Sequence, residues 1–83
     1  MTALRASEFV PTRFNLHEIV DAFDLAARLG CAAFVTGPLM RIGRGAADWQ
    51  RIACSDEEWR RAVAALRERA AVIGVPIALS IYP

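Results

Sequence analysis

The chain has 83 residues, which is enough for one small domain with a thin core, and we expect residues 1–83 to form a single α/β domain. The formal net charge is +1, all ten basic residues are arginine, and no basic run alternates with aromatic residues, which argues against binding to nucleic acid or to a membrane surface. No apolar run reaches the roughly 18 residues of a membrane span, and the N-terminus lacks the apolar segment of a signal peptide, so a cytoplasmic protein is expected.

The hydrophobic fraction is 55%, above the usual range of about 45–50%. This excess predicts that some apolar surface meets another chain or the rest of a larger domain. Alanine, which is abundant here and contributes little to a core, is the alternative explanation. Cys31 and Cys54 form no metal-binding spacing with each other or with the single histidine, so two reduced thiols are expected.

The first predicted strand covers residues 8–13, where Phe9 and Val10 favour extended structure. Pro11 has no backbone donor, so this strand is expected at the edge of a sheet.

The first predicted helix covers residues 15–29. Asn15 is expected to cap it, with Glu18 completing a capping box. Apolar side chains then recur at helical spacing, and Asp24 and Arg28 stand four apart, where they would form an ion pair. Gly30 is expected to end the helix in a left-handed conformation.

Residues 31–36 form a continuous apolar run, which predicts a parallel strand covered on both faces. Phe34 on this strand and Leu79 on the last one are expected to contact a partner if the chain self-associates. Residues 39–54 are expected to be a long connection in which Asp48 caps a single turn. Connections of this length with little structure are usually functional or disordered, and the apolar residues here argue against disorder.

The second half repeats the plan of the first. Residues 55–73 predict a helix opened by a capping box between Ser55 and Glu58, with a further pair between Glu57 and Arg61. Gly74 is expected to end this helix, and residues 75–82 predict the last strand.

The order β-α-β-α-β predicts parallel strands joined by right-handed crossovers. Two helices on one face of three strands leave the other face and at least one edge exposed. The chain is therefore expected to be part of a (β/α) barrel, or a module that must dimerise.

Ligands of parallel α/β structures bind at the carboxyl ends of the strands, and residues 36–49 follow the second strand with three of the five glycines. Arg41, Gly43, Arg44 and Gly45 are expected to form an anion-binding loop, since glycines let backbone N–H groups approach a ligand and guanidinium groups bind carboxylate or phosphate. A glycine turn with solvated arginines is the alternative.

The chain resembles the C-terminal half of a radical S-adenosylmethionine enzyme barrel of the peptide-modifying, SPASM-type branch. The similar segments are T-R-F-N at residues 12–15 before a helix that closes in L-G, M-R-I-G-R-G at residues 40–45 after the next strand, and the Ser- and acid-opened helix with an aromatic at residues 55–59.

The resemblance implies that Asn15, Thr36 and Arg44 contact S-adenosylmethionine. The family binds its 4Fe–4S cluster with a C-x-x-x-C-x-x-C motif in the other half of the barrel, and this chain has no such motif. The chain is therefore expected to lack a cluster and not to be catalytic alone, although the family is enzymatic. Its partner would be the missing N-terminal half or further copies of itself. A stand-alone, self-associating module without enzymatic activity is the alternative, and a small anion- or nucleotide-binding domain is a weaker one.

Overall fold

The computed structural model describes residues 5–39 and 45–82, with residues 45–48 described by their backbone alone. It has helices and a three-stranded parallel sheet in the predicted β-α-β-α-β order, with one additional helix. The elements are β1 (Ala6–Phe9), a 3₁₀ turn (Leu16–Glu18), α1 (Ile19–Arg28), β2 (Ala33–Thr36), α2 (Gly45–Ile52), α3 (Asp56–Val72) and β3 (Ala78–Ile81).

The strands lie side by side in the order β1-β2-β3, and all are parallel. Ala6 pairs with Ala33, which pairs with Ala78, so the three strands are in register. α1 and α3 pack against each other and share one core with β2, so both helices lie on the same face of the sheet. Right-handed crossovers that move across a sheet in one direction have this arrangement. The predicted α/β class and the predicted edge position of the first strand are both confirmed.

The core lies between the helices and that face of the sheet. Phe23 of α1, Phe34 of β2 and Leu66 of α3 are each fully buried. The rings of Phe23 and Phe34 meet edge to face with centroids 5.4 Å apart, a favoured aromatic geometry. The centre of the core therefore contains one large residue from each of α1, β2 and α3.

The opposite face of the sheet has no helix among the described residues. Along β2, Phe34 and Thr36 are fully buried, whereas Ala33 and Val35 are only half-buried. The expectation that both faces of this strand are covered is therefore wrong for the described part of the chain. Phe34 and Leu79, expected to contact a partner, lie instead on the helix-covered face. A charge at Phe34 would unfold the domain and would not test an interface.

The strands are shorter than predicted, and each has four residues. β1 is centred earlier than residues 8–13, and β3 covers only four of the predicted residues 75–82, from Ala78 to Ile81. Gly37 and Pro38 end β2. Because β1 and β3 both pair with β2, neither can continue its pairing beyond that point.

The connection predicted to contain only a single turn contains α2, a helix of eight residues. Asp48 lies inside this helix and not before it, where it was predicted. The indole Nε1 of Trp49 donates to the carbonyl oxygen of Leu39 at 3.0 Å, which fixes the helix against the chain that leaves β2.

The capping box of α3 is confirmed. The backbone N of Glu58 donates to Ser55 Oγ at 3.1 Å, and the backbone N of Ser55 donates to Glu58 Oε1 at 2.9 Å. Arg61 pairs with Glu57 at 2.6 Å, also as predicted.

The ion pair predicted between Asp24 and Arg28 is wrong. Asp24 Oδ1 accepts from Nε of Arg69 on α3 at 2.8 Å, because the two helices lie side by side and Asp24 faces α3. This contact joins α1 to α3 where a bond within α1 was expected.

Candidate functional site at the carboxyl ends of the strands

Asn15 holds the turn that follows β1. Its Oδ1 accepts from the backbone N of Thr12 at 2.6 Å and from Thr12 Oγ1 at 3.2 Å, and its Nδ2 donates to the Val10 carbonyl at 3.0 Å. Asn15 makes no side-chain bond to the helix, so the predicted capping box with Glu18 is wrong. The amide is already used by the preceding backbone, and the helix therefore begins with a 3₁₀ turn.

Thr36, the last residue of β2, is fully buried. Its Oγ1 donates to the carbonyl oxygen of Phe9 at 2.8 Å, which ties the end of β2 to the end of β1. Asn15 and Thr36 thus belong to neighbouring strand ends, as their positions in the sequence implied.

Tyr82 joins the third strand end to the second. Its backbone N donates to the carbonyl oxygen of Thr36 at 3.0 Å. Its ring lies against Gly37 so closely that a Cβ added to Gly37 would overlap the ring carbons. The contact between Gly37 and this ring has no local signal in the sequence, because the two residues are far apart in the chain.

A cleft of about 660 Å³ lies between the β1 turn and the junction of α2 with α3. The backbone N of Arg13 donates to the Ile52 carbonyl at 2.8 Å, which brings the turn to the end of α2. The residues that line the cleft include Arg13, Trp49, Gln50, Cys54, Asp56 and Glu58.

The charges of this cleft do not favour an anion. Hydrogen bonds from the backbone and hydroxyl of Ser55, aided by Arg13 and Arg61, hold the pKa of Glu58 below its usual value. Burial raises the pKa of Cys54, and the carboxylates of Glu58 and Asp56 raise it further. Cys54 is therefore a neutral thiol at neutral pH and is not activated as a nucleophile.

The predicted anion-binding loop falls mostly outside the described residues. Arg41, Gly43 and Arg44 lie there, and Gly45 is the first residue of α2. Their assignment to anion binding stays a prediction.

The described residues offer little to S-adenosylmethionine. The hydroxyl of Thr36 is buried and bonded, and Asn15 has both its oxygen and one amide hydrogen engaged. In this conformation the two side chains support the strand ends and do not present free ligand groups. The contact of Asn15, Thr36 and Arg44 with it stays a prediction.

Within residues 5–39 and 45–82, no three histidine, cysteine or acidic side chains come together to hold a metal ion. Cys31 precedes β2 and Cys54 follows α2, so the two free thiols lie toward opposite ends of the sheet. The same part of the chain has no helix that is both long enough and apolar enough to span a membrane.

Comparison of the chain with protein-family models, curated proteins and solved structures gives no match. The radical-enzyme resemblance therefore rests on its short motifs alone.

Proposed function

We propose that this chain is a segment of a β/α barrel of the radical S-adenosylmethionine type, which contributes strand-end loops to a larger structure and is not catalytic alone. The observation that carries the proposal is the uncovered face of a fully parallel sheet whose two flanking helices lie on one side. In a closed barrel that face points inward and meets the other strands.

The uncovered face consists of two rows that the strand register defines. Ala6, Ala33 and Ala78 form one row, and their small side chains leave room above the sheet. The second row lies nearer the carboxyl ends of the strands and contains Glu8, Val35 and Ser80. Small residues in one layer suit a barrel interior in which larger side chains from other strands fill the space.

The size of the face favours barrel closure over the stacking of free copies. Three strands spaced about 4.8 Å apart, each four residues long, present roughly 200 Å². A stable protein–protein interface buries about 800 Å² on each partner. The uncovered face alone is therefore too small for a stable interface. Further strands joined at the β1 and β3 edges would supply the additional buried area.

The radical-enzyme part of the proposal is supported by the motifs at residues 12–15 and 40–45, which follow the first and second strands. By that resemblance Asn15, Thr36 and Arg44 would border the cofactor, with Asn15 and Thr36 shaping the strand ends. The cluster and the catalytic chemistry would come from the other half of the barrel.

The proposal is tested by co-expressing the chain with a tagged barrel half that carries the three-cysteine motif, and by measuring the mass of the complex by light scattering. We expect a complex with one copy of each, and we expect S-adenosylmethionine to bind to the complex but not to the chain alone. Val35→Arg, on the uncovered face, should abolish the complex. Val72→Arg makes the same substitution on α3, where Val72 is exposed, and should leave the complex intact.

A discrete dimer of the chain alone that Val35→Arg dissociates would overturn the barrel proposal. That result would favour the self-associating module. A complex that survives Val35→Arg would equally contradict the role given to the uncovered face.

A further inference from the structure

A second surface lies on the helix side of the sheet, along the outer flank of α3 beside the edge strand β3. It is a groove of about 430 Å³, and Trp59, Val63 and Ile81 form its half-buried apolar floor. Tyr82 lies at one end of the groove. It is separate from the uncovered sheet face, since Ile81 is on the opposite side of β3 from Ser80.

Two arginines of α3 border this groove. Arg60 and Arg67 are seven residues apart, which places them on one side of the helix and about 10 Å apart along its axis. Both are exposed, and in the described part of the chain neither has a carboxylate within ion-pair distance. The other exposed arginines of the helix differ: Arg61 pairs with Glu57, and Arg69 pairs with Asp24.

The shape and charge of the groove specify what would cover it. An apolar floor along a helix accepts the apolar stripe of a second helix. Covering the floor would partly desolvate the two guanidinium groups, which is costly unless carboxylates bind them. A suitable occupant therefore carries two acidic residues about two turns apart beside its apolar stripe.

We propose that this groove binds an amphipathic helix that lies alongside α3 and pairs its acidic flank with Arg60 and Arg67. The strands follow one another across the sheet in chain order. A right-handed crossover from β3 to a further strand would place its helix on the face that carries α3, next to α3. The identification of this helix as the next helix of a barrel rests on the proposed function. The pairing of an acidic flank with the two arginines rests only on the groove.

The test uses a fluorescently labelled amphipathic peptide of about 18 residues, long enough for five helical turns. It has a leucine stripe and two glutamates seven residues apart, and a matched peptide has glutamine at both glutamate positions. Binding to the full chain is measured by fluorescence anisotropy at low salt. We expect the glutamate peptide to bind about tenfold more tightly, and we expect added salt to reduce the difference.

The chain variants identify the surface. Arg60→Gln combined with Arg67→Gln should remove the preference for the glutamate peptide. Arg61→Gln removes one charge from the same helix outside the groove and should preserve the preference. Equal binding of the two peptides, no binding of either, or a preference that survives the double variant would each overturn the proposal.

Failure here is distinguishable from failure of the barrel proposal, because the two tests address different surfaces. Val35→Arg alters the uncovered sheet face and leaves the groove unchanged. The Arg60 and Arg67 substitutions leave the sheet face unchanged. A chain that forms its own dimer but still prefers the glutamate peptide would contradict only the barrel proposal.

Discussion

At Gly37 the backbone leaves β2 without a side chain, and the ring of Tyr82 occupies the space that a Cβ would take. We expect Gly37→Ala to displace the ring and to lower the free energy of unfolding by about 1–3 kcal/mol, the usual cost of overpacking. Urea denaturation followed by circular dichroism measures this change. The same substitution in a Tyr82→Ala background should cost much less, since the ring is absent. Equal costs in the two backgrounds would show that the ring contact is not the cause.

Asn15 and Ser55 show what a motif at the residue scale can and cannot predict. Both are followed by glutamate three positions later, and both patterns predict a capping box. The box forms at Ser55 and not at Asn15, because the Asn15 amide instead binds the backbone of Thr12 and Val10. The motif contains no information about this competing turn.

At the scale of elements, the capping box links the stability of α3 to pH. Ser55→Ala should destabilise the chain by about 1 kcal/mol at neutral pH, the typical cost of losing an N-cap. The pKa of Glu58 is lowered in the folded state, so its ionised form stabilises the fold. This contribution is complete above the usual pKa of 4.5 and is lost as the pH falls through the lowered pKa.

Glu58→Gln isolates the part of the stability that depends on this carboxylate. We expect the variant to be less stable than the wild type at neutral pH and to approach it as the pH falls below 4.5, in thermal unfolding followed by circular dichroism. Glu68→Gln is the control for the loss of one negative charge from the same helix. A difference between wild type and Glu58→Gln that stays constant with pH would contradict the assignment.

The sequence predicted the order of the elements along the chain and the two long helices, because apolar periodicity and helix caps are local signals. It did not predict where the strands end. β1 and β3 pair only with the four residues of β2, so the length of both strands depends on where Gly37 and Pro38 end β2. The sequence also predicted only a single turn where α2 forms. The surrounding glycines indicated a loop, although the residues from Ala46 to Ile52 suit a helix.

At the scale of the whole molecule, the expected excess of apolar surface has a definite location. Besides the uncovered sheet face, Leu25 of α1, Leu29 directly after that helix and Val72 of α3 are exposed, as are Val10 and Phe14 in the turn after β1. The sequence predicted this excess from composition. The candidate site was less predictable, since whether an amide or hydroxyl is free for a ligand depends on contacts between strand ends.

The strand register also sets an order of assembly. Ala33 follows its partner Ala6 by 27 positions, and Ala78 follows Ala33 by 45. Closing the longer loop costs about 0.5 kcal/mol more in chain entropy, so the unit β1-α1-β2 should form before β3 joins it. Pulse-labelled hydrogen exchange during refolding should therefore protect the amides between β1 and β2 first, and simultaneous protection of all three strands would contradict this order. During synthesis, β2 would then present an unpaired edge until the last residues of the sheet emerge.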